Sequence, residues 1–121
     1  MIDDGLTRIY VSGAMTNIPE YNAPAFNDAS HEIASLGLCP INPLRFSEEV
    51  FAEFHAKGLE PTRYDFMRED IKALARCDGI FMLPGWQKSW GAKWERIIAK
   101  YVFGMPVYES LDELPIDKVA I

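Results

Sequence analysis

The chain of 121 residues holds eighteen acidic against twelve basic side chains, a net charge of −6, and 49% of it is apolar. That length suits one domain with a single core, residues 1–121, and the acidic balance argues against a nucleic-acid polymer as partner, which needs a positive footprint. No apolar stretch reaches the roughly 18 residues that span a bilayer, so no membrane partner is expected.

The opening MIDDGLTRIY is charged and lacks the apolar centre of a secretory signal. Cys39 and Cys77 stand far apart, with no Cys-x-x-Cys pair. Lone cysteines of this kind suit a reducing compartment, so the expectation is a cytoplasmic protein with two buried, free thiols.

In chain order, TRIYVS (7–12) is a short β-rich run ending at Gly13 and reads as the first strand. Residues 22–36 place Phe26, Ala29, Ile33 and Leu36 at helical spacing, with Pro24 near the start and Gly37 past the end. LCPIN (38–42) reads as a second strand. Its Pro40 cannot donate to a ladder, which puts that strand at a sheet edge. Residues 44–61 are the least regular, with a short helix in SEEVFAEFHAKG capped by Ser47 and stopped by Gly58.

Residues 64–76 read as a helix with Met67, Ile71, Leu74 and Ala75 on one face. GIFML (79–83) shows no polar alternation, as expected of a central parallel strand covered on both sides. Residues 90–103 form the last predicted helix, ended by Gly104, and PVYE is a final short strand. Alternating strands and helices imply an α/β three-layer sandwich of flavodoxin or Rossmann type. Its parallel sheet would have four or five strands in order 2-1-3-4(-5). Ligands of such sheets bind beyond the carboxyl ends of the strands. Here those ends are Ser12-Gly13-Ala14, Asn42-Pro43, and Pro84-Gly85 leading to Ser89.

Two carboxylates are out of place. On a wheel of the 90–103 helix, Lys93, Arg96 and Lys100 share an arc of roughly 80°, and Trp90, Trp94, Ile97, Ile98, Ala99, Tyr101 and Val102 fill the rest. Glu95 falls among the apolar residues and is expected to face inward. Burying a carboxylate is costly without partners, although the nearby helix start favours negative charge. Asp70 likewise falls within the arc of Met67, Ile71 and Leu74. A single inward Glu could simply bond backbone amides or a buried Arg. Two on neighbouring helices are the equipment of glycosyl chemistry, with a sugar lying between them.

Tyr10 alternates with Ile9 and Val11 and so projects to the opposite face. Gly13 would let a ligand approach the backbone, or simply end the strand. Ser89 reads either as a helix N-cap or as a contact for a phosphate or sugar oxygen. His31 and His55 are single and expected on helix surfaces, and no cluster has metal-ligand spacing.

Four stretches in order, IYVSGAMT, INP, REDIKALARCDGIFMLPGW, and SWGAKWE closing on GMPVY, resemble the nucleoside 2-deoxyribosyltransferase superfamily and its relatives, the 2′-deoxynucleoside 5′-phosphate N-hydrolases. The resemblance runs from about Arg8 to Tyr108. It implies a flavodoxin-like fold and cleavage of the N-glycosidic bond of a 2′-deoxynucleoside or its 5′-monophosphate, by hydrolysis or transfer. The resemblance makes Glu95 the catalytic carboxylate, Asp70 its acidic partner and Tyr10 the strand tyrosine. It assigns Gly13, Ala14 and Met15 to the ligand loop, and Ser89 and Gly91 to phosphate contacts.

Asn42 and Pro43 join the substrate-binding set from their place at a strand end. The hydrolases carry an arginine in the loop after the first strand. This chain has Ala14-Met15-Thr16-Asn17 there, and Arg45 is the alternative cation. Trp90 and Trp94 flank the Ser-Gly pair and narrow the pocket.

The reading is therefore an enzyme without a cofactor, acting on a small nucleoside or nucleotide. Two alternatives stay open. One is a phosphoribohydrolase of the lysine-decarboxylase-like type, whose PGGxGTxxE signature is missing from PGWQKSWGAKWE. The other is a module that senses nucleotides without turnover. Trp86, Trp90 and Trp94 crowd one short segment, so a homodimer through this region is also expected. The tail LDELPIDKVAI is left open as a contributor to a neighbouring subunit's site.

Overall fold

Alternation along the first strand lays out the molecule, and the computed structural model describes residues 5–116 of it. Strand β1 (Arg8–Ser12) is flanked in parallel by β2 (Cys39–Ile41) and β3 (Gly79–Met82), and β3 carries β4 (Val107–Tyr108) in parallel on its far side. The order is β2-β1-β3-β4, as expected, with the proline-bearing strand at an edge. No fifth strand occurs among the described residues.

Successive residues of a strand face opposite ways. Ile9 and Val11, with Phe81 and Leu83, pack against Phe26 and Ile33 of helix α1 (Ala23–Ser35), and against Leu38 and Leu114. Tyr10, with Ile80 and Met82, faces the other layer, made by Leu74 of helix α3 (Arg63–Leu74) and by Ala92 and, about two turns beyond, Ala99 of the last helical segment. That segment begins as helix α4 (Trp90–Ile97) and contains Ala99 in the turn that follows. Helices therefore cover both faces of an all-parallel sheet, which is the expected three-layer α/β sandwich of flavodoxin or Rossmann type.

Three local expectations are corrected. Helix α2 (Leu44–Ala56) begins three residues before Ser47 and runs three full turns. Its first turn is fixed by Asn42, whose Oδ1 accepts from the Leu44 amide at 3.1 Å, while the Ser47 hydroxyl donates back to the Pro43 carbonyl at 3.3 Å. Ser47 is thus a residue of the helix and not its cap. Gly58, at φ 71°, ends the helix as expected.

The predicted helix over 90–103 is α-helical only to Ile97. It then widens into a π-turn over Ile98–Val102, with the Phe103 amide bonded to the Ile98 carbonyl. Its apolar residues also divide. Ala92 and Ala99 are buried, whereas Trp94, Ile97 and Tyr101 are exposed, Tyr101 at 70%. Trp94 and Ile97, both on α4, lie roughly 60° apart on the helix, and Tyr101 is exposed on the turn that follows.

The thiols are both free, but only Cys77 is buried; Cys39 is half-buried. Cys39 pairs in register with Arg8 of β1, and Cys77 precedes β3 on the far side of that strand. Burial pushes the Cys77 thiol up to about 12, and it donates to the Ala73 carbonyl.

His31 and His55 are exposed on α1 and α2, as expected. Ser110 and Glu113 cap a 3-10 turn over Leu111–Glu113, and the rest of the tail, 117–121, lies outside the described residues.

Candidate active site

Tyr10 and Ser12 sit two apart on β1 and so share a face. Both are fully buried and both point at the same carboxylate. The Tyr10 hydroxyl donates to Glu95 Oε2 at 3.0 Å, and the Ser12 hydroxyl donates to Glu95 Oε1 at 2.6 Å. Glu95 is only 5% exposed, in the second turn of α4. The third partner comes from α3: Asp70, itself largely withdrawn from water, hydrogen-bonds to Glu95. No Lys, Arg or His pairs with Glu95 among the described residues, so three hydrogen bonds hold this carboxylate without a counter-charge.

The electrostatics assign the protons. Burial, and next the charge of Glu95, raise the Asp70 carboxyl to about 9. Burial raises Glu95 too, and it stays above its ordinary value, but hydrogen bonds from Ser12, Asp70 and Tyr10 offset part of the rise. Of two touching carboxyls only one ionises at neutral pH. The three donors converge on Glu95, so Glu95 holds the negative charge and Asp70 holds the proton. Burial and the two acids push the Tyr10 hydroxyl well above its ordinary value, which keeps it a donor.

Helix capping puts Glu95 where it is. Ser89 accepts from the Ala92 amide at 3.0 Å and is the N-cap of α4. That start, after Gly85 at φ 88°, fixes the helical phase that turns Glu95 inward. On α3 the capping box of Thr62 and Asp65 does the same for Asp70. Arg68 pairs with Asp65 and Lys72 with Glu69 in exposed salt bridges. Neither cation neutralises the inward acid.

The expected residues thus divide. Tyr10, Asp70 and Glu95 come together, and Ser12 joins them although it was not among the predicted site residues. Its signal was present in the sequence: a serine two residues after the inward tyrosine of an otherwise apolar strand. The carboxyls of Asp70 and Glu95 touch, so a sugar would lie beside the pair and not between its members.

Gly13 ends the strand under close packing. A Cβ there would stand 2.9 Å from Leu83 Cβ, so its small size is required whether or not a ligand approaches. Ala14 is buried and its carbonyl accepts from Asn22, while Met15 packs on the layer under α1. Asn42 spends its amide on Asn27 and on the start of α2, and Pro43 is fully buried. Gly91 lies beside Met67 of α3.

Trp86 is half-buried against the core and donates to Glu109, and Trp90 stacks edge-on to Tyr64 beneath the Arg63 guanidinium. Arg45 is exposed in the first turn of α2. An open depression of about 770 Å³ runs along α3, lined by Tyr64, Met67, Arg68, Ile71, Lys72 and Ala75, and neither acid lines it. No group of three or more metal-ligating side chains occurs among the described residues. No described helix is long and apolar enough to cross a membrane.

Residues 7–108 match the family described as a domain of unknown function, DUF4406, and the chain belongs to that family. No curated protein and no solved structure matches the chain.

Proposed function

We propose that this DUF4406 chain is an N-glycosidase or glycosyl transferase that cleaves the bond between base and sugar in a 2′-deoxynucleoside or its 5′-monophosphate. The observation that carries the proposal is a buried carboxylate held by three donors and, among the described residues, no cation, beside a second carboxyl whose burial favours its protonated form, at the carboxyl ends of the central strands. A structural ion pair would leave neither a free anion nor a retained proton.

The chemistry follows from those two states. A Glu95 oxygen attacks C1′ and the C1′–N bond breaks. The bonding pair stays with the base, which takes the Asp70 proton. The glycosyl ester on Glu95 is then opened by water or by a second base. Asp70, now ionised, takes the proton of that acceptor, and both residues return to their starting forms. Contact between the two carboxyls supports direct attack, since an attacking water held between paired acids needs a separation of roughly 6.5–9.5 Å. The resemblance of IYVSGAMT and SWGAKWE to the deoxyribosyltransferases supports the choice of substrate. The thiols would stay reduced in the cytoplasm.

The test is incubation with a panel of 2′-deoxynucleosides and their 5′-monophosphates, followed by chromatography for free base. Wild type should release base from at least one, and Glu95→Gln should lower that rate by about 10³-fold or more. Binding without turnover of any of them would favour a nucleotide sensor instead.

The exposed stripe of Trp94, Ile97 and Tyr101 supports the expected homodimer, through the outward face of α4. Of the three tryptophans, only Trp94 is free for such a contact. Light scattering at micromolar concentration should give twice the chain mass for wild type, and the mass of one chain for Trp94→Glu. A monomeric wild type would sink the dimer and leave the chemistry untouched.

A further inference from the structure

We propose that Ser12 is a positioning residue, which with Tyr10 clamps both oxygens of Glu95 and fixes the plane in which that carboxylate meets its substrate. The kinetic part of this rests on the glycosidase reading; the clamp itself does not.

Geometry carries the proposal. Ser12 and Tyr10 lie on one face of β1, about 6.5 Å apart along the strand. Each takes a different oxygen of one carboxylate, Oε1 at 2.6 Å and Oε2 at 3.0 Å. One attachment would leave the carboxylate free to rotate about its last torsion, which is broad for a glutamate. Two attachments from one rigid strand fix its plane. β1 is a rigid base for this purpose because it is paired on both sides. The Ser12 bond is also the shorter of the two, as expected of a hydroxyl donating to an anion.

The groups around Glu95 leave the clamp little competition. From β1 come Tyr10 and Ser12. From α3 comes Asp70, whose own neighbour in charge is Glu69. β3 presents Ile80 and Met82, which do not titrate. On α4 itself, Arg96 is turned away and stacks on Trp86. Without the Ser12 hydroxyl, Oε1 would be a buried anionic oxygen deprived of its 2.6 Å donor.

The experiment follows the Glu95 side-chain carboxyl carbon by NMR titration in wild type, Ser12→Ala, Ser12→Cys and Ser12→Thr, with the signal assigned by its loss in Glu95→Gln. Cysteine nearly matches serine in volume and its thiol is a weak donor, so it tests the bond in case the alanine variant does not fold. The midpoint should rise by about one unit or more in Ala and Cys, and Thr, which keeps the hydroxyl, should restore it.

On a substrate that wild type cleaves, kcat should fall about 10- to 100-fold in Ser12→Ala with KM changed less than about twofold, and the acidic limb of the pH profile should move up with the midpoint. An unmoved Glu95 midpoint in a folded Ala or Cys variant would overturn the clamp, as would a loss confined to KM. If wild type releases no base from any substrate, the glycosidase reading falls, and the titration still decides the role of Ser12.

Discussion

One sheet serves two unlike layers. Beneath α1, the packing of Ile9, Val11, Phe26, Ile33, Phe81 and Leu83 is wholly hydrocarbon. Beneath α3 and α4, the same strands meet Leu74, Ala92 and Ala99, but also enclose the hydroxyls of Tyr10 and Ser12 and the carboxyl of Glu95. Only the alternation of side chains along β1 separates the two. The first layer can stabilise the fold through burial alone. The second carries a cost, because a carboxylate is held in a dry place by hydrogen bonds and not by a cation. Natural proteins keep such costs where something is gained in function.

The comparison is broken most severely from the apolar side. Phe26 is fully buried. Phe26→Ala should lower unfolding stability by about 3–5 kcal/mol, measured by urea denaturation. That loss should be the same at pH 5 and pH 7, because Tyr108, the titratable group packed against this layer's core, is raised by burial above its ordinary 10 and does not titrate in that range. A loss that varied with pH would mean that the two layers are not independent.

Much of this division was legible in the residues. Strand order followed from Pro40 at an edge and from the unbroken apolar run at 79–83. The inward turn of Glu95 and Asp70 followed from helical phase. What the wheel left unsorted was which apolar residues of α4 face inward, although the crowding of tryptophans already suggested an outward contact there. Trp94, Ile97 and Tyr101 recur at three- and four-residue spacing exactly as a core stripe would, and a wheel gives no sign of which stripe meets the sheet. The small residues Ala92 and Ala99 face it instead, since α4 lies close to the strands. The π-turn at Ile98–Val102 changes the phase of the helix beyond Ile97, and no propensity announces it. Ser12 was passed over because a serine at a strand end reads as the start of a turn. Its role depends on Glu95 arriving from 83 residues away.

A subtler change sharpens the comparison from the polar side. The Asp70 carboxyl lies at about 9 in the folded protein, far above its ordinary value of 3.8. A folded value raised above the unfolded one means that the folded state binds the proton more tightly. The stability this gives is fully present below pH 3.8 and declines as pH rises from there towards 9. Across pH 5 to 7 the unfolded chain has released that proton and the folded protein has kept it.

Asp70→Asn removes the titration while keeping a group that can donate to Glu95. Relative to wild type, the variant should therefore gain stability as pH rises, by up to about 3 kcal/mol between pH 5 and pH 7. The check is urea denaturation of both proteins at the two pH values, with Phe26→Ala as the pH-independent reference. A constant difference between Asp70→Asn and wild type would show that Asp70 is already ionised at neutral pH. It would then have no proton to give to a departing base.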